Sequence, residues 1–321
     1  MIVTLTVNPS LDRTIELAGE LRRGEVQRAT ASGTHPGGKG VNISRALERT
    51  GLRTVAVLPD IPDGDLTLQL DAEGINFLPI HTRKPARSNV TITEPDGVTT
   101  KINEPGPELD RSELDEIFSA LLGHREYATW FVLAGSLPPG LAPSYYADLM
   151  TDLRTQLGES TPQFAIDASG PALAFAADNA PNLIKPNSDE LAELLAAEGV
   201  STWSPEQLEA DPALTATASR TLVERGVGAV LATLGARGAV LTTREGAWHG
   251  RPRPIRARST VGAGDAALAG YLFAREMNDA DAPLALATAV AFGSAAAGLP
   301  GTEMPLADEV DPSTVTITPL P

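Results

Sequence analysis

Two glycine-rich segments carry the residues best suited to chemistry. In Ser259-Thr260-Val261-Gly262-Ala263-Gly264-Asp265 a glycine turn opens an apolar helix and leaves Asp265 in its first turn. The N–H groups of residues 262 to 265 would face a developing negative charge there, and Asp265 could accept a proton beside them. A helix N-terminus should keep this carboxylate ionised and weakly basic, which suffices for phosphoryl transfer, where orienting the hydroxyl is the main need. The plain alternative is that Asp265 only caps the helix. Gly262-x-Gly264-x-x-Ala267 also fits the dinucleotide fingerprint, but that motif needs a buried strand before it, and Arg253-Pro254-Ile255-Arg256-Ala257-Arg258 is polar. The second segment, Gly33 to Asn42, nearly matches the phosphate loop G-x-x-x-x-G-K-[ST]. It fails because Gly40 stands where a hydroxyl should reach Mg²⁺ and no buried strand precedes it. Gly37, Gly38 and Gly40 around Lys39, ahead of a helix at Val41, still offer backbone N–H groups to an anion or a sugar hydroxyl. An ordinary glycine turn with an exposed lysine is the alternative.

Three further places fall at predicted strand ends. Asn187 and Glu190, three apart at a helix start, would suit a hydrated Mg²⁺ between carboxylate, water and phosphates, or they form a simple capping box. Lys185 precedes them, and it is one of only four lysines, with Lys39, Lys84 and Lys101, against 21 arginines. Two of the four therefore fall in site motifs. Thr233-Leu234-Gly235-Ala236-Arg237-Gly238 would set backbone amides at the carboxyl edge of a sheet, where open α/β folds bind nucleotides, although a β-turn fits equally. Asp12 lies at a similar edge. The four histidines have no metal-ligand spacing and no G-x-S-x-G elbow is present, so a zinc enzyme or a serine hydrolase has no support.

The elements that must hold these residues read as α/β. Strands are predicted over Ile2 to Val7, Thr54 to Leu58, Thr129 to Leu133, Phe164 to Ile166, Leu183 to Ile184 and Ala229 to Leu234. Helices are predicted over Val41 to Arg49, Ser112 to Leu122, Ser144 to Leu157, Ser188 to Ala197, Leu214 to Arg225 and Ala266 to Met277. Alternation of this kind implies a doubly wound, mostly parallel sheet flanked by helices, with residues 1–321 forming one domain. Residues 11–35 and 86–104 break the rhythm with strand-like alternation and a turn at Pro95-Asp96-Gly97, which predicts a small inserted β-sheet lid. Its edges and apolar face would suit a symmetric partner, hence a homodimer. Residues 282–300 are uncharged but rich in small residues, so a packed helix is expected and no membrane span. The proline-rich end after Leu299 is expected to be a surface tail.

Composition narrows the classes. The net charge of -16 excludes a uniformly basic groove for nucleic acid, so a phosphorylated ligand must be held locally. The absence of cysteine removes thiolate metal sites and thiol nucleophiles and fits a reducing compartment.

Taken together, Gly37-Gly38-Lys39-Gly40-Val41-Asn42 and Ser259 to Asp265 resemble the two signatures of the PfkB (ribokinase-like) carbohydrate kinase family, across essentially the whole chain. Leu5 to Asp12, Gly135-Ser136-Leu137-Pro138-Pro139-Gly140, Asp167-Ala168-Ser169-Gly170 and Lys185-Pro186-Asn187 look like its sugar-phosphate branch. The resemblance implies Asp265 as base, with Gly262, Ala263 and Gly264 as anion hole. Asn187 and Glu190 would be the Mg²⁺-associated pair, while Lys185, Asn187, Thr233, Gly235, Gly238 and Gly264 would contact ATP. Asp12, Gly37, Gly38, Lys39 and Asn42 would hold the sugar, with Arg87 and Ser136 near its phosphate. The implied reaction is phosphorylation of fructose 1-phosphate at C6, with tagatose 6-phosphate or fructose 6-phosphate as alternative acceptors, in a cytoplasmic enzyme that could also use K⁺. A non-catalytic sugar-phosphate sensor is a further alternative, less consistent with Asp265 being kept. The sequence departs from the pattern at Thr91, where relatives often carry lysine, at Ser44 and at Ala266.

Overall fold

The computed structural model describes residues 1–197, 199–200, 203–277 and 280–321. In chain order the strands are β1 (Ile2–Leu5), β2 (Ser10–Leu17), β3 (Ala29–Gly37), β4 (Thr54–Asp60), β5 (Phe77–His81), β6 (Arg87–Thr93), β7 (Thr99–Asn103), β8 (Trp130–Ala134), β9 (Gln163–Asp167), β10 (Leu183–Ile184), β11 (Ala229–Thr233), β12 (Ala239–Thr243), β13 (Ala247–Arg251) and β14 (Thr316–Leu320). The helices are α1 (Lys39–Glu48), α2 (Asp65–Ala72), α3 (Arg111–Gly123), α4 (Tyr145–Leu157), α5 (Gly170–Asp178), α6 (Ser188–Ala197), α7 (Pro205–Ala210), α8 (Pro212–Glu224), α9 (Ala263–Met277) and α10 (Ala282–Ala297).

Among the described residues, ten strands form one sheet in the order β14-β13-β12-β11-β10-β9-β8-β1-β4-β5. Neighbours from β11 to β5 run parallel, and β12, β13 and β14 add antiparallel ribbons. Alternate side chains of each strand point to opposite faces, so β1 feeds two cores. Val3 and Leu5 pack with Phe131, Leu133, Met150 and Phe164 on one face. Ile2 packs with Ile43, Leu47, Leu268 and Leu272 on the other. Parallel strands buried on both faces explain why these runs are nearly continuous in Val, Ile and Leu. α10 is the expected small-residue helix, and it lies so close to α9 that a Cβ on Gly270 would stand 2.8 Å from the Phe292 ring. Among the described residues no helix is long and apolar enough to cross a membrane.

The small sheet, ordered β3-β2-β6-β7, spans the two segments that broke the rhythm. Its β2–β6 pair is parallel and its outer pairs antiparallel. Asp60 anchors its base, since its carboxylate accepts from the N–H groups of Thr67 (3.2 Å) and Ala86 (3.3 Å), tying α2 to the start of β6.

The end of the chain corrects the surface-tail expectation. β14 pairs antiparallel with β13 and closes one edge of the main sheet, with Val315 and Ile317 packed on the α9–α10 core. Pro319 is tolerated because β14 is an edge strand. β5, β12, β13, α2, α5 and α7 are also additional to the predicted elements, being short or polar on one side.

Candidate functional site

In the parallel part of the sheet, the carboxyl ends of neighbouring strands converge. β9 ends in Asp167, β10 leads into Lys185, and β11 ends at Thr233, which forms a parallel bridge with Asn187. Asp167 is fully buried and binds two cations: Lys39 Nζ at 2.7 Å and Lys185 Nζ at 3.0 Å. Burial pushes its carboxyl up, but the two ammonium groups outweigh that and hold it below the usual carboxylate range. Burial likewise pulls Lys39 down, and Asp167 and Glu190 more than reverse this, so its ammonium is held charged more firmly than usual. Asp167 was not among the predicted site residues. The signal was the strand reading Phe164 to Ile166, which puts the next residue at the carboxyl edge.

Lys39 belongs to the first turn of α1, which begins two residues earlier than predicted. Its N-cap, Gly38, has φ of 124°, and a Cβ there would stand 2.8 Å from Thr6 Cγ2, so the entry to the helix needs glycine. From that turn the lysine reaches Asp167 and, at 3.3 Å, Glu190. In this structure the lysine thus joins the Asn187–Glu190 group to Asp167. Asn187 and Glu190 do form the reciprocal capping box, with Glu190 N–H donating to Asn187 Oδ1 at 2.8 Å and Asn187 N–H to Glu190 Oε2 at 2.9 Å. Among the described residues no group of three or more His, Cys, Asp or Glu side chains could hold a metal by itself.

Asp265 occupies the first turn of α9, only 8% exposed. Burial pushes its carboxyl up to about 6, helped by the Asp167 charge and opposed by Lys185, by a hydrogen bond from Asn42 and by Lys39. The expectation of a weakly basic carboxylate is therefore corrected, because loss of hydration outweighs the helix N-terminus. Asn42 Nδ2 donates to Asp265 Oδ2 at 2.8 Å. A Cβ on Gly264 would lie 3.4 Å from Lys185 Nζ, so that ammonium stands beside the glycine turn that opens α9. The amides of Gly264 and Asp265 lie where an α-helix leaves N–H groups without intrahelical acceptors. The Ala263 N–H instead leans on the Thr260 carbonyl at 3.4 Å.

On the side of the small sheet, Ser10 Oγ (2.7 Å) and Asn89 Nδ2 (2.9 Å) both donate to Asp12 Oδ1. Gly37 is opposite, and a Cβ there would run into the same carboxylate. Arg87, at the start of β6, and Ser136, just past β8, meet at 3.4 Å. With Asn8 and Ser169 they line a cavity of about 500 Å³ beside the point where the chain order reverses between β1 and β8. The buried Arg87 Nε and Asn8 Oδ1 have no protein partner in it. Burial lowers the Arg87 pKa, opposed by Asp12 and Glu104.

Past β11 the chain makes a 3-10 turn, Gly235–Arg237, then turns back into β12. Thr233 reaches the Asn187 group, whereas Gly238 is a hairpin corner whose absent side chain makes room for Gly250 and Pro252. Its glycine is accounted for by that packing. Asp12, Arg87 and Ser136 thus form one cluster and Lys39, Asp167, Lys185, Glu190 and Asp265 another, with Asn42 and the Gly37–Gly38 turn at the junction.

Residues 6–307 match the pfkB family of carbohydrate kinases. The 1-phosphofructokinase of Escherichia coli (strain K12) is 33% identical over 295 residues, covering 90% of this chain and 89% of that protein. The 1-phosphofructokinase of Haloferax volcanii is 32% identical over 314 residues, covering 97% and 95%. A solved structure of Escherichia coli phosphofructokinase-2 in complex with substrates and products superimposes with a TM-score of 0.84 at 27% identity, covering 96% of each chain. The same E. coli enzyme has been solved with potassium and in a tetrameric inhibited form.

Proposed function

Since the chain belongs to the pfkB family of carbohydrate kinases and is a phosphotransferase with an alcohol acceptor, we propose that it uses ATP to phosphorylate the C6 hydroxyl of fructose 1-phosphate, giving fructose 1,6-bisphosphate. One observation carries the chemistry: a buried carboxylate, Asp265, pushed up to about 6 in a helix first turn beside the Lys185 ammonium. A group tuned toward neutrality can orient the hydroxyl and take its proton as the bond forms.

In this reading the C6 oxygen attacks the γ-phosphorus as the bond to the bridging oxygen of ADP breaks, and the proton passes to Asp265 Oδ. The amides of Gly262 and Gly264 face the transferring phosphoryl group, Gly264 standing beside Lys185, whereas the Ala263 N–H turns to Thr260; Lys185 and Lys39 balance the charge. Asp167 keeps both lysines in place before substrate arrives. Asp12 and the Gly37–Gly38 turn orient the sugar, and Arg87 and Ser136 grip its phosphate, which the unpartnered Arg87 Nε favours. Asn187, Thr233, Gly235 and Gly238 border the nucleotide, Gly238 by shaping the hairpin.

Glu190 and Asn187 supply hard oxygen atoms beside the lysines, a donor set that fits Mg²⁺ held mainly by nucleotide phosphates and water. Mg²⁺ there would neutralise phosphate charge. K⁺ as a further cofactor is supported by the potassium complex of the E. coli neighbour. We further assign the small sheet as a lid over the sugar, the whole chain as one kinase domain acting in the cytoplasm, and the assembly as a homodimer through the lid. The neighbour's tetrameric form shows that assembly in this family can go further.

A coupled assay with ATP, Mg²⁺ and fructose 1-phosphate, fructose 6-phosphate or tagatose 6-phosphate tests the reading. Fructose 1-phosphate should give the highest kcat/KM. A higher value for tagatose 6-phosphate or fructose 6-phosphate moves the assignment to that acceptor, and turnover of none of them overturns it.

A further inference from the structure

We infer that Arg45 is a positioning residue, which fixes the Asn42 side chain so that its N–H, and not its carbonyl, faces the Asp265 carboxylate, and which ties that arrangement to the end of the lid strand β3. The inference rests on the reading of Asp265 as the base.

Arg45 lies on α1 three residues after Asn42, hence on the same helix face. It is only 7% exposed and every nitrogen of its guanidinium is engaged. Nη1 donates to Asn42 Oδ1 at 2.7 Å, Nη2 to the Pro36 carbonyl at 2.9 Å and Nε to Glu73 Oε2 at 2.8 Å. A carboxamide has two orientations of nearly the same shape, and only one presents a donor to a carboxylate. A guanidinium has donors and no acceptor, so it can bond only to the Asn42 oxygen. The Asn42 nitrogen is then left for Asp265, 2.8 Å away. With Arg45 absent, only the ionised Asp265 carboxylate favours the donor orientation of Asn42; a protonated carboxyl can meet either end of the amide, so the orientation is no longer fixed independently of the base. Asn42 also keeps only one N–H for a sugar hydroxyl, which makes its orientation matter to the acceptor as well.

The third contact gives the device its reach. Pro36 is the penultimate residue of β3, so the lid's exit strand, the amide and the base share one buried guanidinium. Glu73 neutralises it from the solvent side, with its side chain 32% exposed. The groups facing Asp265 from the packed elements are Asn42 of α1, Asp167 at the end of β9, Lys185 after β10 and Lys39 of α1. Arg45 acts on Asp265 only through Asn42.

The test compares Arg45→Met, which removes every donor at similar length, with Arg45→Lys, which keeps the charge for Glu73 but cannot span all three acceptors. Losing a hydrogen bond to a charged group should lower kcat about ten- to a hundredfold in Arg45→Met, with KM for ATP within about twofold. The acid limb of the kcat profile should move up by about half a unit to one unit. Arg45→Lys should move the same way by less, and it carries the test if Arg45→Met does not fold. Adding Arg45→Met to Asn42→Ala should cost nothing beyond Asn42→Ala alone. An NMR titration of Asp265 in protein labelled at the aspartate carboxyl carbons reads the same effect without turnover. If wild type phosphorylates no sugar phosphate, the functional reading fails while this titration still decides the role of Arg45. Additive losses in the cycle, or an Asp265 titration unchanged in folded Arg45→Lys and Arg45→Met, overturn it.

Discussion

Asp265 is held between opposing influences. Dehydration and the Asp167 charge raise its proton affinity, while Lys185, Asn42 and Lys39 lower it. Because a base must be ionised to accept a proton, kcat/KM should hold on the neutral side and fall about tenfold per pH unit below about 6 as Asp265 protonates; a flat profile between pH 5 and pH 7 would remove the base from this position. Asp265→Asn spares the loop amides, so kcat should drop by about 10²- to 10⁴-fold with nucleotide affinity nearly unchanged, as measured by steady-state kinetics and nucleotide titration. Arg87→Ala should raise KM for the sugar phosphate about tenfold or more, the worth of one charge-assisted bond, and leave KM for ATP alone. Affinity lost for ATP instead would place the lid over the wrong ligand. At this scale the sequence announced Asp265, Lys39 and Lys185 through their glycine and asparagine neighbours. Asp167 was visible only as part of the Asp167-Ala168-Ser169-Gly170 resemblance, and its role was not, because its two cations come from α1 and from beyond β10.

The elements that carry these residues were legible where they are long and two-sidedly apolar, as in β1, β4, β8 and β11, and in the helices that cover them. β12 and β13 escaped notice because Thr242, Thr243 and His249 dilute their alternation. β14 was read as loose chain because its prolines suggest it, although Val315, Ile317 and Leu320 supply the apolar contacts that dock it. Truncation after Thr314 removes these contacts and leaves β13 as a bare edge, so stability should fall by about 2 to 4 kcal/mol in urea unfolding. An unchanged midpoint would return the segment to a passive tail. The lid was legible in outline, since period-two alternation without intervening helices is hard to mistake. Its parallel β2–β6 pairing was not, because strand direction between distant segments leaves no trace in local pattern.

For the molecule as a whole, the register of the lid sets Ile15, Val90, Ile92 and Ile102 on one face, and Ile102 is 58% exposed. A half-buried apolar face with Ile102 exposed at its edge, on a chain of net charge -16, favours a partner that covers it over solvent. Light scattering at micromolar concentration should therefore give twice the chain mass, and Ile102→Glu should shift the species toward monomer. A wild-type monomer would count against the assembly. The order of the main sheet has another outcome, in time instead of space. β1, made first, is a central strand that waits for β8 on one side, and the bond between Asn42 and Asp265 joins residues 223 apart. Lys39 meets Asp167 across 128 residues. During synthesis on the ribosome the contacts among Lys39, Asn42, Asp167 and Asp265 are completed only when α9 emerges. A nascent or prematurely terminated chain that lacks α9 should thus neither hydrolyse nor transfer a phosphate, so incomplete products are inert instead of wasteful.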